Sequence, residues 1–342
     1  MIDRRDAILG TMALGLAAGS TSVDAQTAPP RVPGTPPIPG APDPDETIDL
    51  WPGGAPGMPA RAPVETVDER SKDASIADRA VRGITRPRMV VFRPRAANAN
   101  GNGNGNAVLI LPGGGYHHVV IDKEGYELGR WLASRGWTCF VLFYRLPGDG
   151  WAAGPNVALC DAQRAIRLIR ARAAAFGIRP DRVAALGFSA GGHVCGDLAT
   201  RFAASTHTPV DAADTLSARP DIAAPIYAVQ SMSLPLAHPG SRALLIGDHA
   251  NPALEAAHTP ANNVTAQTPP IFMVHAEDDT TVPVANTLQM RAALKAKGIA
   301  VETHLFTLGG HGFGLRGTHG KPAAIWPDLF LHWAASQGFA TA

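Results

Sequence analysis

Among the polar side chains of this chain, one serine stands where a nucleophile would be presented. Gly187-Phe188-Ser189-Ala190-Gly191 has the form G-x-S-x-G. Val183 to Leu186 before it read as a short buried strand, and Ala190 to Ala204 after it as a helix of small and apolar side chains. A strand that reverses sharply into a helix holds the middle residue at the tip, in a strained backbone geometry. Glycines two before and two after are required because a Cβ there would meet the neighbouring chain. A serine presented this way becomes a nucleophile when an imidazole takes its proton and a carboxylate orients that imidazole.

Both partners are present downstream. The apolar run Ile271 to His275 leads into Ala276-Glu277-Asp278-Asp279-Thr280-Thr281-Val282-Pro283, where Asp278 and Asp279 both qualify as the acid. Val301, Thr303 and Leu305 alternate along a last strand that leads to Gly309-Gly310-His311-Gly312-Phe313-Gly314, and His311 is the candidate base. Upstream, Pro112-Gly113-Gly114-Gly115-Tyr116 follows the apolar run Ala107 to Leu111. Such a loop turns backbone N–H groups toward a ligand, so Gly114, Gly115 and Ala190 are the candidate oxyanion donors. A dinucleotide site is disfavoured because G-x-G-x-x-G fails at its sixth position, His118. Tyr116 and His117 are candidates for the pocket wall, as is His118. The order Ser189, Asp279, His311 is that of the α/β-hydrolase arrangement and not of the chymotrypsin or subtilisin ones. The chemistry is acyl transfer through an acyl-enzyme, with no metal or organic cofactor required.

These residues need a scaffold that brings strand ends together. Arg88 to Phe92, Ala107 to Leu111 and Thr138 to Tyr144 read as strands, with a helix expected over Asp122 to Arg135 and closed by Gly136. Leu159, Ala162, Ile166, Ile169, Ala173 and Phe176 recur at helical spacing, with Gly177 as the stop. Arg164, Arg167 and Arg170 on the other side read as a solvated face. Asp221 to Val229 is a further strand, residues 284 to 297 a helix, and Pro322 to Gln337 a closing amphipathic helix. Nearly continuous apolar strands alternating with helices predict a mostly parallel, doubly wound α/β sheet with helices on both faces. Each candidate then falls at the C-terminal end of a strand, on one edge of the sheet. Residues 230 to 268 read as a long irregular insertion forming a pocket wall or lid, with His238, His249 and His258 as surface histidines.

The 342 residues suffice for one large domain, and the formal net charge of +1 without a basic block argues against nucleic acid as a partner. Arg4-Arg5, an apolar run from Ala7 to Ala18 and a small-x-small site at Val23-Asp24-Ala25 look like an export signal over residues 1–25. The twin arginine hints at the folded-protein route, and the apolar run is too short to span a bilayer. Residues 26–47 read as a Pro-rich linker, and 48–342 as the catalytic domain, so the expected location is the periplasm or beyond. The alternating Asn and Gly of residues 98 to 106 read as a flexible loop without chemistry. Trp51 is expected to dock on the body. Cys139, Cys160 and Cys195 lie in apolar patterns and are expected to be buried free thiols, with no zinc-type spacing.

Leu50-Trp51 through Gly57, PGGGY at 112–116, the run from Asp161 to His193, HAEDDTTVP at 275–283 and GGHGFGL at 309–315 resemble the secreted α/β-hydrolase esterases that include acetylxylan esterases and bacterial feruloyl esterases. The resemblance covers roughly residues 48 to 338. It implies an α/β-hydrolase fold and an acid placed three residues before the Val of D-x-x-V-P, which selects Asp279 over Asp278. It further implies deacylation of small-molecule or oligosaccharide esters, with acetyl groups on xylan as the first expectation. Two other readings compete. A prolyl-oligopeptidase-like serine peptidase shares the fold and triad order, but no propeller domain or amine-recognising acidic pair precedes the body. A non-catalytic binding module on a hydrolase scaffold would not need an intact triad.

Overall fold

The computed structural model describes residues 44, 46–94 and 103–340; the expected export signal and nearly all of the Pro-rich linker lie outside them. In chain order the strands are β1 (Glu46–Asp49), β2 (Thr66–Glu69), β3 (Arg79–Arg82), β4 (Arg88–Phe92), β5 (Ala107–Leu111), β6 (Val119–Val120), β7 (Thr138–Phe143), β8 (Val183–Phe188), β9 (Ile222–Ile226), β10 (Ile271–Ala276) and β11 (Val301–Phe306). The helices are α1 (Glu127–Ala133), α2 (Val157–Ala171), α3 (Ala173–Phe176), α4 (Ser189–Arg201), α5 (Pro239–Ile246), α6 (Pro252–Ala257), α7 (Ala285–Ala296) and α8 (Trp326–Ser336).

Eight strands form one sheet in the order β1-β4-β7-β5-β8-β9-β10-β11. The six from β7 to β11 run parallel, while β1 and β4 pair antiparallel at the edge. The central strands are buried along their whole length, Ala107 to Leu111 and Val183 to Phe188 among them, because helices cover the sheet and leave no polar face. The fold is that of an α/β-hydrolase. Leu111 pairs with Gly187, Phe188 with Ile226, and Ala276 with Phe306, so the strand ends carrying the candidate residues stand side by side. A second, three-stranded sheet, β2-β3-β6, lies outside the expected pattern. The strand β1 begins at Glu46, two residues before the expected start of the body. Trp51 is buried and donates from Nε1 to Asp161 Oδ1 at 2.9 Å. The three cysteines are free and buried.

Four expectations need correction. The arginines of α2 are not a solvated face. Arg164 is fully buried and donates to Asp211 at 2.7 Å, with Asp214 at 3.1 Å and the Leu50 carbonyl at 3.1 Å. The segment between α4 and β9 folds back over α2 and brings Asp211, Asp214 and Asp221 onto that side, where Arg170 meets Asp221 at 2.9 Å. Residues 230–268 are not irregular, since they hold α5, α6 and a 3-10 turn at Pro260–Asn263. His258 is buried, unlike the exposed His249. The expected helix from Asp122 opens as a π-turn, Asp122–Tyr126, and α1 stops at Ala133.

Candidate active site

The reversal from β8 into α4 occurs at Ser189, whose φ of +52° is one of only three positive values at non-glycine residues among those described. Packing leaves no alternative to glycine beside it. A Cβ on Gly187 would lie 2.2 Å from the Gly191 carbonyl oxygen, and one on Gly191 would lie 2.1 Å from that of Leu111. The elbow therefore closes tightly against the end of β5 and holds Ser189 Oγ at the sheet edge.

Ser189 Oγ donates to His311 Nε2 at 2.8 Å, and His311 Nδ1 donates to Asp279 Oδ2 at 2.7 Å. Asp279 Oδ1 accepts from the Thr281 and Val282 amides, both at 2.9 Å. A second imidazole, His275, stands 3.2 Å from Asp279 Oδ2 and is itself held by Thr287 at 2.8 Å and the Val282 carbonyl at 3.0 Å. Burial works to raise the Asp279 carboxyl. The bonds from His275 and His311, the charge of His311 and the Val282 amide outweigh it, so the group stands well below the usual carboxylate range. It is ionised at neutral pH.

Gly114 and Gly115 line one cavity of about 580 Å³ together with Ser189 and His311. Gly114 has a φ of +131°, and a Cβ there would lie 2.1 Å from the His118 carbonyl oxygen. Ala190 follows Ser189 in the first turn of α4, where amides have no intrahelical acceptor. His117 lines the same cavity, as does His118, whose imidazole burial and Arg70 hold at about 4 and hence neutral. From the 230–268 segment, His238, Gly240 and Leu244 complete the wall.

Tyr116 departs from expectation. With φ at +63° its side chain turns inward, 2% exposed, and its hydroxyl donates to His193 Nδ1 at 2.6 Å. His193 Nε2 in turn donates to the His258 carbonyl at 2.7 Å, which sets the tautomer. Tyr116 is thus a brace beneath the glycine loop and no part of the cavity wall. Sequence reasoning also passed over Glu124, Tyr227 and His275. His275 lay inside a motif already singled out, whereas Glu124 looked like any polar position on a helix. Among the described residues no group of three or more His, Cys, Asp or Glu side chains is placed to hold a metal ion, and no helix is long and apolar enough to cross a membrane.

Comparison with known proteins gives the site its context. A solved structure of an acetyl ester-xyloside bifunctional hydrolase from Caldicellulosiruptor lactoaceticus is 32% identical, with a TM-score of 0.68 over 86% of this chain and 96% of that one. Esterase 2 of Thermogutta terrifontis shares the fold at 23% identity, with a TM-score of 0.62 over 83% of this chain and 98% of that one. An acetylxylan esterase of Xylanibacter ruminicola is 32% identical over 213 residues, 61% of this chain; the match spans 41% of that protein, so this chain corresponds to less than half of it. The family described as BD-FAE matches residues 96–294, which include Ser189 and Asp279. That match takes in more than half of the sequence, and the chain belongs to the BD-FAE family.

Proposed function

We propose that the chain is a serine carboxylesterase that removes acyl groups, acetyl foremost, from plant cell-wall carbohydrate such as xylan. The observation that carries this reading is the unbroken relay from Ser189 through His311 to Asp279, at 2.8 and 2.7 Å, opening onto the glycine-loop cavity. Ser189 Oγ attacks the ester carbonyl carbon while its proton passes to His311 Nε2. Asp279 orients the imidazole and stabilises it once charged. The amides of Gly114, Gly115 and Ala190 receive the developing oxyanion, each such donor contributing about 3 kcal/mol to transition-state stabilisation. The tetrahedral intermediate collapses as the imidazolium protonates the departing sugar oxygen, leaving an acyl-serine. Water, deprotonated by His311, then attacks that carbonyl and frees the acid and Ser189.

The acyl and sugar preference draws its support from the acetyl ester-xyloside hydrolase and acetylxylan esterase among the relatives. Residues 230–268 supply one side of the pocket in this reading, and the leader of residues 1–25 directs the chain to the periplasm or beyond. The test is acetate release from acetylated xylan beside turnover of p-nitrophenyl acetate and a prolyl peptide anilide. Ester turnover without amide turnover is expected, and Ser189→Ala lowers it by on the order of a million-fold while the fold persists. Amide turnover would mean a peptidase, and no turnover at all a binding scaffold.

A further inference from the structure

Glu124 is a buried carboxylate that the acyl-transfer steps do not use. It is 3% exposed, yet it lines the cavity that holds Ser189 and His311. Its two oxygens face two different loops. Oε2 accepts from the Gly113 amide at 2.8 Å, at the start of the glycine loop. Oε1 accepts from the Tyr227 hydroxyl at 3.0 Å, and that same hydroxyl accepts from the Gly314 amide at 3.0 Å, three residues beyond His311. Burial and the Glu124 charge push the Tyr227 phenol well up, so it stays a donor.

Local geometry singles these two residues out. Tyr227, directly after β9, has a φ of +36°, a strained value for a residue with a side chain. Its ring meets the His311 ring edge-on at 5.3 Å and the Phe313 ring at 4.4 Å. Glu124 sits in the π-turn Asp122–Tyr126, an element common at functional sites. The turn is anchored by Asp122, which accepts from the Arg79 amide at 2.7 Å and from Arg79 Nε at 2.8 Å. The anchored turn aims Glu124 inward with little freedom to swing.

We infer that Glu124 is a positioning residue that, with Tyr227, straps the glycine loop to the loop bearing His311. One carboxylate then holds the oxyanion donors and the general base in a fixed relation. The inference rests on the proposed ester hydrolysis, and its chemistry is distinctive. A carboxylate can accept on both sides at once, whereas an amide in its place would accept from one loop and donate toward the other. With Glu124→Gln the amide oxygen serves Gly113, the NH2 faces Tyr227, and the phenolic hydrogen loses its acceptor.

The test uses the full chain with Glu124→Gln, Tyr227→Phe and the double variant. It measures kcat and KM on p-nitrophenyl acetate, the rate of fluorophosphonate labelling at Ser189, and the unfolding midpoint. Displacement of catalytic groups by a fraction of an ångström to an ångström costs up to about 100-fold in rate. Each single variant is therefore expected to lose about 10- to 100-fold in kcat and in labelling rate, with KM within about twofold. The double variant is expected to be no slower than the slower single, because both break one strap. Labelling at the wild-type rate in the folded fraction of Tyr227→Phe, with only the unfolding midpoint lowered, overturns the inference, as do losses that multiply in the double variant. A wild-type chain that does not label at Ser189 sinks the esterase reading and the strap together, whereas a labelled wild type with equally reactive variants sinks the strap alone.

Discussion

Asp278 and Asp279 are neighbours in the chain, and their carboxylates hold two different parts of one loop. Asp279 takes the His311 imidazole, while Asp278 Oδ1 accepts from the amides of Gly309 at 2.8 Å and Gly310 at 2.7 Å, just before that histidine. One orients the base and the other anchors its backbone. Asp279→Asn is expected to lower kcat by about 10⁴-fold, because an amide stabilises the wrong tautomer and no positive charge. Asp278→Asn keeps an oxygen that accepts from both glycines and is expected to lose no more than about tenfold, a loss of the order of one neutral-for-charged hydrogen bond. Steady-state kinetics on p-nitrophenyl acetate give the ranking, and the opposite order would mean that the acid has been misassigned.

The glycine loop offers a substitution with little chemical ambiguity. Gly114→Ala adds one methyl group 2.1 Å from the His118 carbonyl oxygen, at a φ of +131°. Something must shift, and the shift moves the proposed oxyanion donors of the loop, which line one cavity with Ser189. A loss of about 100- to 1,000-fold in kcat is expected, matching removal of one oxyanion donor. Circular dichroism should remain that of the wild type. Undiminished kcat would mean that other amides receive the oxyanion.

Arg164 marks where sequence reasoning stopped. A helix carrying arginines opposite its apolar side reads the same whether water or a returning loop covers them. Only the fold brings Asp211 and Asp214 back across α2. Replacing Arg164 by Met leaves the Asp214 carboxylate buried, facing His207 at 3.1 Å and Arg167 only at 3.8 Å. A stability loss of about 3–5 kcal/mol is expected in urea denaturation, and a loss below about 1 kcal/mol would show that the pair is energetically idle.

The candidate triad, by contrast, was readable in the sequence because the runs leading to Ser189 and Asp279 are apolar and buried throughout, and the alternating, half-buried run Val301–Phe306 leads to His311. Parallel strands place their C-terminal ends on one edge, so Ser189, Asp279 and His311 had to converge once the strand direction was known. The supports of that edge were not legible. Glu124, Tyr227 and His193 act through hydrogen bonds that reach partners 65 to 103 residues away, with the Gly113 amide the one near partner, of Glu124. No local period records such a bond. Tyr116 misled for a related reason: its loop position suggested a wall residue, while its positive φ turns the ring inward.

Buried histidines should make stability fall on mild acidification. Burial holds His258 at about 4, with Arg201 and His193 adding to the effect and Asp197 opposing it, and burial also lowers His193. Their folded values lie below the ordinary histidine value of about 6.5, so the unfolded chain takes up protons first. The stabilisation is complete above about pH 6.5 and is lost as pH falls toward about 4, amounting to up to about 3 kcal/mol for His258. Asp279, held below the usual carboxylate range, adds its own loss only below about pH 4. Urea denaturation at pH 7, 5.5 and 4.5 should show the decline, and His258→Gln should make it shallower while leaving the share of His193 and of His118, which burial also holds at about 4. An equal slope in that variant would assign the decline to other groups.

Tyr116 decides between a brace and a wall. If it lines the acyl pocket, Tyr116→Phe changes little and Tyr116→Ala opens room for butyryl over acetyl esters. With its hydroxyl on His193 at 2.6 Å, the opposite is expected. Phenylalanine leaves His193 Nδ1 buried without a donor, at a cost of about 1–3 kcal/mol in stability. The loop then loses a tie to α4, and kcat falls about tenfold or more as its amides drift. The ratio of kcat/KM between acetyl and butyryl esters stays within about twofold, since no wall atom has moved, a threshold well under what one added methylene of pocket space yields. A changed acyl preference with an intact kcat would return Tyr116 to the pocket.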